Sequence, residues 1–340
     1  MKHSLRKLAY VSGLLPFYHG IRNQRALTVV LFHRVLPEDA PEWQAADPEW
    51  TVTTSFFESC LKFFRSHYNG VSFSQVMANH LDGEALPPNP LLITFDDGWN
   101  CNLRHAAPLL RKYHLPALLF VTTGAVGKHI LSWQEALFAL WKTRTLDEEH
   151  LQSLSKKAGI KLPASLESEQ DFEQLLTLLQ ELPVARRRPL DDLLMDWSMD
   201  LPGLPYMLNE NELMEIQDHG ISLGTHGVSH DALVQTDSPH DELHLSWKDL
   251  CRITGNSTPV QCFSPPQGRY NKNILKIAES LGYVCACTSK TALNALNGRN
   301  TGILDLGRIN IEQPALSDQN GKLDPSRLAS LLFRQPILAA

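Results

Sequence analysis

LLITFDDGW, residues 91–99, is an apolar run of strand length that ends in two adjacent carboxylates and a glycine. Such a run is typical of a strand buried in a sheet. Asp96 and Asp97 therefore stand at its carboxyl end. Neighbouring side chains of an extended strand point to opposite sides, so both acids can face one cleft only if the chain turns there. The alternative is a strand end with two ordinary solvated aspartates.

Six further apolar runs of strand length occur along the chain, and most of them precede a helical pattern. The runs are residues 27–32, 117–122, 221–225, 261–264, 284–288 and 303–311, and the helical patterns are residues 55–68, 100–113, 209–219, 241–254 and 273–281. This alternation predicts an α/β protein with about seven βα units around one core, a distorted or incomplete (β/α)7-type barrel. An open doubly wound sheet is the alternative.

Residues 131–207 interrupt this alternation, because they show Leu-rich helical periodicity without a convincing strand. We predict that they form a helical insertion in a single catalytic barrel of residues 27–312. Residues 1–26 are then an N-terminal amphipathic segment, and residues 313–340 a C-terminal tail. The insertion could cover or gate a site at the top of the barrel, or contribute packing only.

The composition is that of a globular protein with a mild acidic excess. The 340 residues include 31 basic and 37 acidic side chains, a net charge of −6, and no Lys/Arg-dense stretch, which argues against nucleic-acid binding. None of the six cysteines forms a CxxC pair, so a structural zinc knuckle is not expected. Unpaired thiols in a chain of this size fit a reducing compartment.

The N-terminus combines Lys2, Arg6 and Lys7 with a short apolar stretch, residues 8–18. This resembles the start of a signal peptide, but a small-x-small cleavage site is missing and the stretch is too short to span a bilayer. We expect an uncleaved amphipathic helix that touches a membrane surface. With the unpaired thiols, this predicts a cytoplasmic protein at the inner membrane face.

A pair of histidines follows another predicted strand, in ISLGTHGVSH, residues 221–230. His226 and His230 are four residues apart, as two metal ligands on one helical turn would be, so we expect a nearly helical turn after the strand. The spacing alone is common, and the alternative is two surface or capping histidines. Two imidazoles combined with one carboxylate form a metal site with open positions for water and substrate.

A third signal is CFSPPQGRYN, residues 262–271, where a predicted strand enters a turn with two prolines and Gly268. Prolines and glycine determine the backbone conformation of such a turn, and the role of this turn could be purely structural.

Together and in this order, the three signals resemble the motifs of the polysaccharide deacetylase family, also called carbohydrate esterase family 4. They occupy residues 94–98, 224–230 and 263–271. The opening VVLFHRVLP, residues 29–37, is similar to the start of one bacterial branch of that family. The resemblance covers residues 27–130 and 205–312. It implies hydrolytic removal of an acetyl group, above all N-acetyl, from an amino sugar or polysaccharide.

The resemblance also implies roles for individual residues. Asp97, His226 and His230 would hold a divalent metal ion, usually zinc, and Asp96 would be the general base for a water that the metal activates. The turn of Pro266, Gln267 and Gly268 would contact the substrate and offer a backbone N–H to the oxyanion. Trp99 and Tyr270 are candidate aromatic platforms for a sugar ring.

The chain departs from the family pattern in two places. Ser264 stands where an arginine often braces the catalytic aspartate, and the late Leu-x-His motif that supplies the general acid has no clear counterpart. Arg308 and His33 each stand at the carboxyl end of a predicted strand, where barrel enzymes place their chemistry. Arg308 could brace Asp96. His33 could act as the acid or hold substrate, or be a capped core histidine.

Two other functions are compatible with these residues. One is a glycan-binding protein that has kept the metal site without activity, and the other is a deacylase of a non-sugar amide. Asp96 argues against the first, because a protein that only binds glycan has no need of a base.

Overall fold

The main sheet of the protein curls into a barrel of parallel strands. The computed structural model of the chain describes residues 2–129, 132–163, 165–201, 206–255, 262–295 and 302–339. The strands are β1 (Ala26–Phe32), β2 (Arg34–Leu36), β3 (Thr51–Thr53), β4 (Asn69–Gly70), β5 (Pro90–Phe95), β6 (Ala117–Val121), β7 (Ile221–Thr225), β8 (Cys262–Phe263), β9 (Cys285–Thr288), β10 (Leu293–Ala295), β11 (Leu304–Gly307), β12 (Ile309–Asn310) and β13 (Ile337–Ala339).

The helices surround this sheet on its outer side and also form a separate group. They are α1 (Lys2–Val11), α2 (Leu14–Arg22), α3 (Thr54–His67), α4 (Phe73–Asp82), α5 (Ala107–Tyr113), α6 (Trp133–Lys142), α7 (Glu148–Ala158), α8 (Glu169–Gln180), α9 (Val184–Ser198), α10 (Glu210–Asp218), α11 (Pro239–Thr254), α12 (Lys272–Ser280), α13 (Gln313–Leu316) and α14 (Pro325–Phe333). A π-helical turn, Asn102–Ala106, precedes α5.

The barrel closes at a seam between its last and first strands. From β11 the order runs through β9, β8, β7, β6 and β5 to β1, with every neighbouring pair parallel. β11 pairs with β9 and β12 pairs with β1. Since Arg308 alone separates β11 from β12, this segment joins the two edges. The predicted distorted barrel is confirmed, with β10 and β13 extending the sheet beside the amino end of β1.

Successive side chains of each strand point to opposite faces of the sheet, and both faces are apolar. Side chains from six strands meet in one cluster, which is possible because the sheet curls around them. The aliphatic and aromatic members of this cluster include Leu27, Val29, Leu92, Leu118, Phe120, Leu304 and Leu306. Three free thiols, Cys262, Cys285 and Cys287, fill another part of the barrel interior. The opposite face packs against the outer helices, as Phe32 and Phe95 do against Phe57 of α3.

The helices α6 to α9 lie between β6 and β7, and the described residues from 132 to 201 contain no strand. They bury their own apolar cluster, in which Leu137, Leu140 and Leu190 are fully buried. Trp99 and Met207 of the barrel loops belong to the same cluster, so the helical group is packed onto the rim that follows β5.

The C-terminal end of the chain is more structured than the sequence suggested. Residues 313–340, expected as a tail, include α13, α14 and β13, and Leu332 and Phe333 of α14 are fully buried in the main core. At the other end, α1 and α2 meet at Gly13, whose φ is 80°. Among the described residues, no helix has the length and apolar character needed to cross a bilayer.

Candidate metal centre

The strand β5 ends in a turn that presents both aspartates to the same space. The Asp96 N–H still continues the sheet by donating to the Phe32 carbonyl at 3.2 Å. Asp97 then adopts φ 77° and Gly98 φ 96°, and the Gly98 N–H donates back to the Asp96 carbonyl at 3.1 Å. A left-handed aspartate is uncommon, and such conformations are concentrated at functional sites. Because of this turn, the side chains of Asp96 and Asp97 do not point to opposite sides as they would in an extended strand.

Asp97 faces two imidazoles. Its Oδ1 lies 3.5 Å from His226 Nε2 and 3.3 Å from His230 Nε2, and the possible ligand atoms of the three residues all lie within 4.8 Å of one another. The other oxygen, Oδ2, accepts a hydrogen bond from Trp99 Nε1 at 2.9 Å. Oδ1 is buried and accepts no hydrogen bond from the described part of the chain. Two imidazole nitrogens and one unsatisfied carboxylate oxygen suit a divalent metal ion.

The hydrogen bonding and the charge state of His226 suit a metal ligand. Its Nδ1 lies 2.8 Å from the Ser264 carbonyl, which can only accept, so Nδ1 carries the proton and Nε2 offers its lone pair to the site. Burial lowers the pKa of His226 to about 4, although the nearby Asp96 raises it. The imidazole is therefore neutral near pH 7, as metal ligation requires.

The loop from His226 to His230 is not helical, so the prediction of a helical turn is wrong. Gly227 has φ 75° and His230 φ 63°, two left-handed residues that no helix accommodates. Instead, Glu242 of α11 accepts hydrogen bonds from the backbone N–H groups of Val228 and Ser229 at 2.8 and 3.0 Å. A carboxylate from a neighbouring helix thereby replaces helical hydrogen bonding, and the two rings still approach to 5.1 Å between centroids.

A buried ion pair connects this loop to the helical group. Asp231, which follows His230, pairs with Arg187 of α9 and accepts a hydrogen bond from Ser229 Oγ at 3.0 Å. Arg187 is fully buried, and its guanidinium lies 5.0 Å from the centre of the Trp133 ring of α6. Sequence reasoning missed this contact, because no local pattern distinguishes Arg187 from its neighbours Arg186 and Arg188.

Asp96 is held by Arg308 from the barrel seam. Arg308 Nη1 donates to Oδ1 at 2.7 Å and Nη2 to Oδ2 at 2.8 Å. Ser264 Oγ completes the group, donating to Asp96 Oδ2 at 3.2 Å and accepting from Arg308 Nη2 at 2.7 Å. Burial by itself would raise the pKa of Asp96, but Arg308, His226 and His33 together outweigh that effect and hold the pKa well below its usual range. Asp96 is therefore an ionised carboxylate at neutral pH.

His33 lies directly after β1 and is half-buried, with its ring edge-on to Trp50 at 4.6 Å between centroids. Its Nδ1 has no hydrogen-bond partner among the described residues. Burial lowers the pKa of His33, while Asp97 and then Asp96 raise it, which places the imidazole within electrostatic range of both carboxylates. The structure thus brings His33 to the same end of the barrel as the aspartates.

The turn after β8 has one backbone N–H that is not donated within the turn. Pro266 has no N–H, the Gly268 N–H already donates to the Pro265 carbonyl at 3.0 Å, and the amide of Arg269 to Pro266 at 3.3 Å. The amide of Gln267, which has φ 57°, is the remaining donor of the turn. The Gln267 side chain also donates to the His230 carbonyl at 3.2 Å, so the turn borders the metal ligands.

The two candidate aromatic platforms differ in how their rings are placed. Trp99 is 3% exposed and its indole N–H holds Asp97, so its ring is not free to stack on a sugar; the expectation for Trp99 is corrected to a support of the candidate ligand. Tyr270 is partly buried, its hydroxyl donates to Asp305 at 3.3 Å, and Lys290 Nζ lies 5.7 Å from its ring centre. These contacts fix the Tyr270 ring in place.

Comparison with known proteins matches the sequence of the chain to one family. Residues 83–286, more than half of the chain, match the family described as Polysaccharide deacetylase. A poly-beta-1,6-N-acetyl-D-glucosamine N-deacetylase of Staphylococcus aureus is 25% identical over 233 residues, which cover 65% of this chain and 74% of that protein.

Solved structures share the fold. The Streptococcus pyogenes deacetylase PplD, in complex with acetate, superposes with a TM-score of 0.57 at 20% identity, covering 91% of this chain and 99% of PplD. IcaB from Ammonifex degensii gives a TM-score of 0.54 at 17% identity, covering 91% and 97% of the two chains. At these identities the likeness concerns the fold alone.

Proposed function

The chain belongs to the polysaccharide deacetylase family, and on that basis we propose that it is a metal-dependent carbohydrate N-deacetylase. It hydrolyses the acetamide of an N-acetylated amino sugar within a glycan, releasing acetate and leaving a free amine. The observation that carries this proposal is the buried, unsatisfied Oδ1 of Asp97, which faces His226 and His230 directly beside an ionised Asp96.

Asp97, His226 and His230 would hold the metal ion. A set of two imidazole nitrogens and one carboxylate oxygen, with room for further ligands, is the type that suits zinc in hydrolases. Bound there, the ion would supply Lewis acidity for polarising the acetyl carbonyl and for increasing the acidity of a water. Trp99 fixes one oxygen of Asp97, so that the other is presented to the ion.

Asp96 takes the proton of the attacking water. Its Oδ2 lies 3.9 Å from His226 Nε2, so this carboxylate borders the space that the three donor atoms enclose. Arg308 and Ser264 orient it and keep it ionised, which a base requires before it can accept a proton. Because the same contacts lower its basicity, Asp96 depends on a water whose acidity has been increased.

Two further groups complete the reaction. The Gln267 amide is the backbone donor of the rim turn for the oxyanion that forms on the acetyl carbonyl. His33, with an unused Nδ1 near both aspartates, donates a hydrogen bond to the departing amine, which leaves with the proton that Asp96 took from the water.

The test is to measure bound metal and released acetate together. Purified protein is incubated with zinc, desalted and analysed for metal, and acetate release is followed on N-acetylated β-1,6-glucosamine and β-1,4-glucosamine oligomers. We expect His226→Ala to lose both metal and activity. His244→Ala, on the outer helix α11, is the matched control and should keep both.

Stoichiometric zinc in a His226→Ala/His230→Ala double variant would refute the ligand assignment. Zinc binding with tight glycan binding but no acetate release from any acetylated sugar would indicate the glycan-binding alternative. Acetate release from simple amides but not from sugars would indicate the non-sugar deacylase.

A further inference from the structure

The two N-terminal helices present a continuous apolar stripe to the outside. Six side chains at intervals of three or four residues are between 61% and 72% exposed: Leu5, Leu8, Val11, Leu14, Phe17 and Ile21. Exposed apolar residues of the stripe lie on both sides of the break at Gly13, and Tyr18 of α2 is also exposed. The other exposed large apolar residues of the described chain are scattered over several elements. A contiguous patch of this kind marks an interaction surface, whereas single exposed residues do not.

The opposite face of the same helices is fixed to the body of the protein. Tyr10 stacks on Phe63 of α3 at 6.2 Å between centroids, and its hydroxyl lies 3.2 Å from His67 Nε2. His19 is buried and stacks on Phe333 of α14 at 4.0 Å. With these contacts in place, the helices cannot rotate to bury the stripe, which therefore faces outward while the barrel is folded.

The charged side chains of the chain segment that carries the stripe have one sign. The first 37 residues contain six basic side chains and no aspartate or glutamate, in a chain whose net charge is −6. Lys7 and Arg25 are exposed, and Arg22 lies over the Tyr18 ring at 5.7 Å. Arg6 pairs with Asp324 at 3.9 Å and so anchors α1 to the start of α14. A second copy of this face would bring like charges together, whereas an anionic lipid surface is complementary to it.

We propose that α1 and α2 form a membrane-docking surface, by which the protein lies on an anionic lipid bilayer. The apolar stripe enters the boundary between headgroups and acyl chains, and Lys7 and Arg25 contact lipid phosphates. Arg6 meets the amino end of α14 and His19 its carboxyl end, so α1 and α2 extend along α14. This surface is separate from the candidate metal centre and does not depend on the proposed activity.

The experiment is flotation of the full chain with vesicles of phosphatidylcholine alone and of phosphatidylcholine with phosphatidylglycerol. We expect binding to the anionic vesicles that weakens as salt is raised. Leu8→Glu/Phe17→Glu should lower the partition coefficient at least tenfold, and Lys7→Glu/Arg25→Glu should lower it on anionic vesicles. Leu178→Glu/Leu245→Glu changes two exposed apolar residues elsewhere and should bind like the unaltered chain.

A second measurement does not depend on a disruptive substitution. Phe17→Trp, compared with the unaltered chain, should gain fluorescence that brominated lipids quench. Absence of vesicle binding, equal binding by Leu8→Glu/Phe17→Glu, or an unquenched Trp at position 17 would each overturn the proposal. So would a dimer in light scattering that Leu8→Glu/Phe17→Glu converts to monomers, because the stripe would then be a self-association surface.

Discussion

Replacing Arg187 by methionine should destabilise the protein and loosen the metal centre together. The guanidinium is fully buried, pairs with Asp231, lies over Trp133, and has its Nε 3.6 Å from Asp191. Without it, Asp231 is left as a buried carboxylate. Removing one partner of a buried ion pair costs about 3–5 kcal/mol. The hydrogen bond from Ser229 survives, so we expect the lower end, about 3 kcal/mol.

Arg187→Met should also weaken metal binding, because Asp231, the partner of Arg187, directly follows the candidate ligand His230. A support removed from behind a metal ligand lowers affinity about 10- to 100-fold. Both quantities can be measured on the metal-free protein, the first by urea unfolding and the second by zinc titration against a chromophoric chelator. Adding Asp231→Asn to Arg187→Met should recover most of the lost stability, because the unpaired buried charge is then gone.

Arg188→Met is the matched control. Arg188 is 64% exposed and reaches Asp231 only at 3.8 Å, so its loss should change stability by less than about 1 kcal/mol. The reasoning would be refuted if Arg187→Met stayed within about 1 kcal/mol of the unaltered protein. It would also be refuted if Arg187→Met lost stability but bound zinc with unchanged affinity, since the pair would then not support His230.

Three further outcomes are expected. Asp96→Asn should keep its zinc and lose about two to four orders of magnitude in kcat, the usual contribution of a general base, as metal analysis and acetate release will test. Burial raises the pKa of Glu135 from 4.5 to about 7, so the folded protein binds a proton at Glu135 more tightly than the unfolded chain does. The free energy of unfolding should therefore fall as pH rises across that range, and Glu135→Gln should reduce this fall when urea midpoints are measured at several pH values. Gly124→Ala would place a Cβ in steric conflict with the Val228 carbonyl, which should displace the histidine loop and weaken zinc binding in chelator titrations. Gly20→Ala, with open space around its Cβ, should leave zinc binding unchanged.

The strands that carry the motifs could be predicted because their signals are local. The apolar run before Asp96 and the one before His226 each specify a buried strand, and parallel strands bring their carboxyl ends to one rim. The sequence also indicated Arg308, at the end of a predicted strand, as the candidate cation for Asp96. Arg308 is 212 residues from Asp96 along the chain, and barrel closure, which no local pattern encodes, brings the two together.

What the sequence could not predict depends on backbone conformation and on distant partners. The HxxxH spacing suggested a helical turn, but left-handed Gly227 shapes the loop and Glu242 satisfies its amides. Trp99 looked like a platform for a sugar, since only the fold reveals that its N–H meets Asp97. Arg187 stands in a row of three arginines, and which of them turns inward is decided by packing against Trp133.

The seam at Arg308 has a consequence for the order in which the protein can be completed during synthesis. The ribosome delivers Asp96 and the two histidines long before the residue that neutralises Asp96. Until then a closed barrel would bury that carboxylate without a cation, which is costly. The nascent sheet is therefore expected to remain open, with β1 and β9 as exposed edges prone to intermolecular pairing. A chain that stalls before residue 308 would hold every candidate metal ligand and still be a substrate for chaperones.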